Sequence, residues 1–305
     1  MSFTARAIDL ALRAARLDRV DEQIAAAAHD PTVEYRAIAR SRKMDKFDPP
    51  RRLVRRRRHA VQRVDGTPLH VIRHDDTPGV RVLLYLHGGG YFCGPMMLHW
   101  RSAPALAADL GADVALPIYP KAPEHTADDT LAAVVAVYDR LLDRYGAENI
   151  VVGGDSAGGG LTMSLLGIAR DTGRPQPRAA LLVSPWLDLS LADPAAAGLS
   201  DRDHMLTVTG ARYAADWYRG DRPVDDPSIS PLYADTAGLA PLHLWVGTDE
   251  ILLPDCRTFI GKARAAGHRA TIHEISRGQH VSALWPTVEG RCARAQMVAL
   301  VDWPS

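Results

Sequence analysis

Cysteine is scarce in this chain, with three in 305 residues: Cys93, Cys256 and Cys292. They lie far apart and follow no metal or redox spacing, which argues against a disulfide framework and leaves three reduced structural thiols. Neither charge is in surplus, since 36 basic residues face 36 acidic ones. A balanced chain offers no global field to nucleic acid or to an anionic membrane. Long apolar runs are missing too, and none approaches the about 18 residues that a spanning helix needs. The first residues, Met1 to Leu10, include the acidic Asp9 and no uninterrupted apolar stretch, so they do not read as a secretory signal. Repeats and low-complexity tracts are absent. Together these absences lead to the expectation of a soluble, cytoplasmic protein with no integral membrane segment.

What is present suits one large core. The apolar content is 47%, enough for a single domain over residues 1–305 carrying a small cap. Residues 1–50 read as amphipathic helices around Ala7–Leu17 and Asp21–His29, stopped by Pro49 and Pro50. The dense basic run Arg51–Arg58 follows. No second basic cluster and no stacking aromatics accompany it, so it reads as a solvated hairpin or linker before the main sheet.

From there the pattern alternates. Short apolar runs at Val80–His87, Asp113–Tyr119, Asn149–Gly153, Ala179–Ser184, Leu242–Gly247 and Ala270–Ile275 read as buried strands. Between them, Leu131, Val134, Val135, Tyr138, Leu141, Leu142 and Tyr145 form one stripe of a helix over 128–145. Further helices are expected at Ala157–Arg170, Asp255–Ala266 and Thr287–Val301. Strands alternating with helices imply an α/β protein with a mostly parallel sheet covered on both faces. The stretch from about Asp188 to Asp235, rich in Asp, Pro and Ala, breaks the rhythm. It reads as an insertion that packs with the N-terminal helices over the carboxyl edge of the sheet, the cap thus comprising about 1–50 and about 188–235.

Gly154-Asp155-Ser156-Ala157-Gly158 fits G-x-S-x-G between an apolar strand and a helix. Small residues two before and two after the serine allow the tight turn that projects its hydroxyl. His87-Gly88-Gly89-Gly90-Tyr91 also follows a strand. Consecutive glycines let backbone N–H groups approach a substrate oxygen, and Gly88, Gly89 and Ala157 are the expected donors. His87 reads as a brace for the loop rather than as a base.

His-Gly-Gly-Gly with Gly-Asp-Ser-Ala-Gly in this order resembles the bacterial hormone-sensitive lipase family of esterases. Tyr119-Pro-Lys-Ala-Pro-Glu-His125 and Ser184-Pro-Trp-Leu-Asp-Leu189 are similar to two further segments of that family. The likeness runs from about Val80 to the C-terminus and is loose over the first 60 or so residues. It implies the α/β-hydrolase fold, hydrolysis of short- to medium-chain acyl esters, and no metal or cofactor.

A serine needs a base, and the order in this fold is serine, acid, histidine. His280 lies in a loop after the last strand, where the family carries its histidine; Val281 stands where Gly-Phe is more usual. His268 and His273 read as surface or core. The resembling enzymes place their acid in D-x-L after the strand Leu242–Gly247; Glu250 with Leu252 fits that frame, and Asp249, one place earlier, is the alternative. Either would hold the imidazole tautomer. Asp255 reads as a cap of the next helix. Tyr91, Trp186, Trp217 and Trp285 are candidates for an apolar substrate pocket, or else for core packing. The partner expected is a small-molecule ester, without nucleic acid, and a homodimer is a candidate assembly. Three other readings stay open: an amidase such as an arylformamidase or a lactone hydrolase with the same triad, and, in another class, a non-catalytic ligand-binding protein of this fold. A protein that binds nucleic acid through Arg51–Arg58 is more distant.

Overall fold

A computed structural model describes residues 1–15, 38–54, 59–75 and 79–304. The helix expected at Asp21–His29 and the arginines Arg55–Arg58 lie outside the described residues. Strands β1 (His59–Val64) to β8 (Ala270–Ile275) build one sheet in the order β1-β2-β4-β3-β5-β6-β7-β8. The other strands are β2 (Thr67–Ile72), β3 (Val82–Leu86), β4 (Asp113–Pro117), β5 (Ile150–Asp155), β6 (Ala179–Val183) and β7 (Leu242–Gly247). β1 with β2 and β2 with β4 pair antiparallel, and every other pair is parallel.

The central strands are buried at every position and largely apolar because both faces of the sheet are covered. Successive side chains point to opposite faces, and the core divides accordingly. Leu84, Leu86, Val152, Leu182 and Leu244 face one hydrophobic cluster with helices α4 (Ala127–Tyr145), α5 (Ala157–Asp171) and α8 (Leu253–Ala265). Leu83, Tyr85, Val151, Leu181 and Trp245 face the other with α3 (Met97–Asp109) and α9 (Val288–Leu300). The remaining helices are α1 (Phe3–Ala15), the short α2 (Arg51–Val54), and α6 (Pro194–Leu199) and α7 (Val208–Arg219) within the insertion. Among the described residues no helix is long and apolar enough to cross a membrane.

Several elements were not read from the sequence: the β1–β2 hairpin, α3, the insertion helices α6 and α7, and α2, which replaces the hairpin or linker expected at Arg51–Val54. The β1–β2 hairpin is a polar, half-exposed edge that lacks a continuous apolar run. Helix α3 has Pro104 inside it, which interrupts the periodic signal.

The sheet order reverses between β3 and β5. The crevice at such a reversal, beyond the carboxyl ends of the strands, is where this architecture places ligands. The insertion between β6 and β7 crosses that edge. Its loop at 202–206 contacts the segments after β7 and β8: Asp203 accepts the Ile251 N–H, and the His204 N–H donates to Gln279. Its helix α7 reaches the loop after β3, where Tyr218 stacks on Tyr91 at 3.6 Å and Trp217 meets Phe92 edge-on at 5.5 Å. Helix α1 is tied to the same insertion by His204 Nδ1 and Asp9 Oδ1, 2.8 Å apart, and to α9 by Ser2 and Glu289.

Candidate active site

β5 ends in Asp155, and the chain turns at Ser156 with φ 54° and ψ −125° before α5 begins at Ala157. A non-glycine residue held there stores backbone strain that the surrounding structure has to offset. The Ser156 N–H donates to Val183 O (2.9 Å), which anchors the turn to β6. A Cβ at Gly158 would collide with the carbonyls of Leu86 and His87, and one at Gly154 with Gly158 O. The two glycines are what let strand, turn and helix cross at van der Waals distance.

The loop after β3 is braced from behind. His87 is fully buried, its ring stacked on Tyr119 at 4.3 Å, and the Tyr119 hydroxyl donates to His87 O (2.5 Å). Burial, with His99 nearby, pulls the His87 imidazole down to about 3, so it stays neutral as a brace. Arg42 joins this loop to the 119–125 segment, donating to Phe92 O (2.8 Å) and Ala122 O (2.7 Å) while pairing with Glu124.

One expected donor is spent elsewhere. The Gly88 N–H, read as an oxyanion donor, points instead to Asp155 Oδ1 at 3.2 Å. Asp155 is buried and also takes the Tyr85 hydroxyl (2.8 Å) and His99 Nε2 (3.2 Å). Burial works against its charge, yet His99 and the Tyr85 hydroxyl more than offset this and hold the carboxyl below its ordinary value. Among the described residues the N–H groups of Gly89, Gly90 and Ala157 have no protein partner, whereas that of Gly88 is taken. Gly89 at φ 125° suits only glycine, and a Cβ at Gly90, φ 59°, would press on the Phe92 ring.

On the other side, Glu250 is wholly buried in the segment after β7. Its Oε2 lies 2.7 Å from His280 Nδ1, and its Oε1 accepts from the Ser184 hydroxyl (2.8 Å) and the Gly247 N–H (2.9 Å). The same Ser184 hydroxyl accepts the Val281 N–H at 3.1 Å. Ser184 follows Val183, the residue that anchors Ser156, so one strand end links the serine turn to both partners. Burial opposes protonation of His280, but the hydrogen bond and charge of Glu250, together with Asp203 and Asp155, outweigh it and hold the imidazole above its ordinary 6.5. Asp249 points away and pairs with Arg202. His268 Nε2 donates to Ala240 O, and His273 stacks on Trp245, so neither joins this pair. Asp255 lies in the first turn of α8 with Oδ2 unpartnered, so it does not cap that helix.

The four aromatic candidates do not share a pocket. Tyr91 and Trp186 are core residues, 1% and 3% exposed, with the Trp186 indole donating to Asp188 O. Trp285 lines a separate cavity of about 270 Å³ with Met97, Leu98 and Met297, away from Ser156 and His280. Trp217 alone remains half-buried beside the glycine loop at Phe92.

Fold and site together define an α/β hydrolase, and a family model described as alpha/beta hydrolase fold matches residues 83–284. An acetyl-hydrolase of Streptomyces hygroscopicus is 35% identical over 202 residues, which cover 66% of this chain and 68% of the relative. An esterase of Acinetobacter venetianus is 31% identical over 61% of this chain and 62% of its own length. The chain thus spans less than seven tenths of the length of these curated relatives. A crystal structure of an esterase from the bacterial hormone-sensitive lipase (HSL) family aligns with a TM-score of 0.77 at 31% identity, covering 94% of this chain and 97% of that one. The chain belongs to the bacterial hormone-sensitive lipase family of α/β-hydrolase-fold proteins.

Proposed function

We propose that this chain hydrolyses short- to medium-chain carboxylic esters through an acyl-enzyme formed on Ser156. The observation that carries the reading is the buried 2.7 Å contact of His280 Nδ1 with Glu250 Oε2, tied through Ser184 to the strand end that anchors Ser156. With Nδ1 given to a carboxylate, Nε2 is the nitrogen left to take the serine proton. As Oγ attacks the ester carbonyl, His280 accepts that proton and the carbonyl oxygen becomes an oxyanion. The amides of Gly89, Gly90 and Ala157 hold it, one such donor lowering the barrier by about 2.7–4 kcal/mol. Imidazolium then protonates the departing alcohol. Water, deprotonated by the same imidazole, attacks the acyl-serine and releases the carboxylic acid and the free hydroxyl.

The described parts of 1–50 and 188–235 act as a cap in this reading, supported by the Asp9–His204 contact and by α7 against the glycine loop. Ser156→Ala tests the nucleophile. Turnover of p-nitrophenyl acetate is expected to fall by about a millionfold, and near-wild-type turnover overturns the reading. A series of p-nitrophenyl esters from acetate to laurate tests the acyl range: activity should peak at or below octanoate, and a maximum at laurate rejects that part.

A further inference from the structure

Two side chains outside the triad, Gln279 and Asp203, connect its acid and its base through the insertion. Gln279, directly before His280, is 1% exposed, and both ends of its side-chain amide bond insertion backbone. Its Oε1 accepts the His204 N–H and its Nε2 donates to Arg202 O, both at 2.8 Å. Between those two backbone positions stands Asp203, 2% exposed, whose side chain enters the other catalytic loop. Its Oδ2 accepts the N–H of Ile251, the residue after Glu250, at 3.0 Å. Its Oδ1 accepts the N–H groups of Met205 and Leu206, both at 2.9 Å, which folds the insertion loop around the carboxylate. One short loop therefore grips the backbone beyond the acid and the side chain before the base.

We propose that Asp203 is a positioning residue of the triad, which with Gln279 locks the Glu250 and His280 loops in register and adds a second negative charge behind the imidazolium. The inference rests on the triad reading above. Burial raises the Asp203 carboxyl to about 6 against the pull of His280 and of the Ile251 N–H, so it is ionised at neutral pH and above. The ionisable groups facing His280 are Glu250 from the segment after β7, Asp203 from the insertion and Asp155 from the end of β5. The other polar groups nearby already have partners, Arg202 with Asp249 and His204 with Asp9. A carboxylate is required rather than an amide, because all three groups that Asp203 meets are donors.

The test is Asp203→Asn in the full chain, measured as kcat and KM across pH. kcat should fall by about ten- to a hundredfold with KM little changed, since reacting groups are displaced without loss of substrate contacts. The acid limb of kcat/KM should also move down by about one pH unit, because loss of the negative charge makes the imidazole easier to deprotonate. A merely structural role would lower Tm and leave that limb in place. Gln279→Met removes both ladder bonds at similar volume and carries the test where Asp203→Asn does not fold; it should lower kcat by about tenfold at unchanged KM. Wild-type kcat with an unmoved limb in Asp203→Asn, or wild-type kcat in Gln279→Met, overturns the proposal. An inactive Ser156→Ala beside either result leaves the triad reading standing, whereas an active Ser156→Ala removes that reading itself.

Discussion

In the proposed site the glycine loop and the Glu250–His280 pair serve the same serine, yet they are made of opposite materials. The glycine side presents backbone donors and keeps its ionisable ring neutral: His87 is held near 3 and buried against Tyr119. The acid–base side sets carboxylates around one imidazole, with Glu250 in contact and Asp203 nearby, while Asp155, which also holds the Gly88 N–H, adds its charge from the end of β5. Negative charge develops on the substrate oxygen in the proposed reaction, and positive charge on His280. Each side is electrostatically complementary to the charge that arises next to it, and neither has to reorganise when it does. The difference also assigns different sensitivities. The glycine side depends on backbone shape, so it should respond to loss of bracing. The other side depends on charge and should respond to pH and to isosteric neutralisation.

Glu250→Gln probes the charged side most directly. The amide keeps the size of the side chain but offers a donor or a neutral acceptor where a carboxylate fixed the Nδ1–H tautomer. kcat is expected to drop by about ten-thousandfold with the fold intact. A drop of less than tenfold would mean that the pair does not act as proposed and would erase the contrast between the two sides. The pH profile sharpens it further. His280 accepts a proton only when neutral, and its pKa is raised above 6.5. The protonated fraction grows as pH falls through that raised value, so kcat/KM should decline on the acid side with a midpoint above 6.5. Steady-state rates on p-nitrophenyl acetate between weakly acidic and weakly alkaline buffers would show it. A midpoint well below 6.5 would mean that burial, and not the carboxylates, controls this histidine.

Much of this arrangement was legible in the residues themselves. Parallel strands covered on both faces are largely apolar, and Leu242–Gly247 could be read to the residue for that reason; the edge strand Ala270–Ile275 carries Thr271, His273 and Glu274 and is only partly buried, so its apolar signal is weaker. The serine turn was legible because Gly154 and Gly158 are demanded by a local crossing of backbones. What escaped depends on contacts between distant segments. Three adjacent glycines look equivalent in sequence; it is Asp155, from another strand, that claims the Gly88 N–H and leaves Gly89 and Gly90 free. Tyr91 and Trp186 look like pocket aromatics, but residue type does not say which face of the glycine loop they join, and they went to the core. Asp203 gave no signal at all, since its meaning lies wholly in the Ile251 amide it meets across the fold.

On the glycine side, Tyr119→Phe removes the hydroxyl that supports His87 O and leaves the stacked ring in place. The unmatched buried carbonyl should cost about 1–3 kcal/mol of stability, read from denaturant unfolding. A loosened loop should lower kcat by about threefold to tenfold, with the acid limb unmoved, since no charge near His280 changes. A shifted limb would show that the two sides are electrically coupled after all.

The smallest effect is expected where the sequence left the widest choice. Asp249 and Glu250 are neighbours of the same chemical type, and a one-residue step at a strand end turns the side chain to the other side. Glu250 is buried against His280, whereas Asp249 pairs with Arg202, whose side chain is 55% exposed. A half-exposed ion pair is screened by solvent and contributes only about 0.2–1 kcal/mol. Asp249→Asn should therefore leave kcat within about twofold, leave the acid limb in place, and shift the unfolding midpoint only slightly. The comparison with Glu250→Gln then becomes a single-residue one, in which the same loss of charge is nearly silent at one position and disabling at the next. If Asp249→Asn proved the more damaging of the two, the roles of the carboxylates would have to be exchanged, and the buried contact with His280 would lose its claim to the catalytic acid.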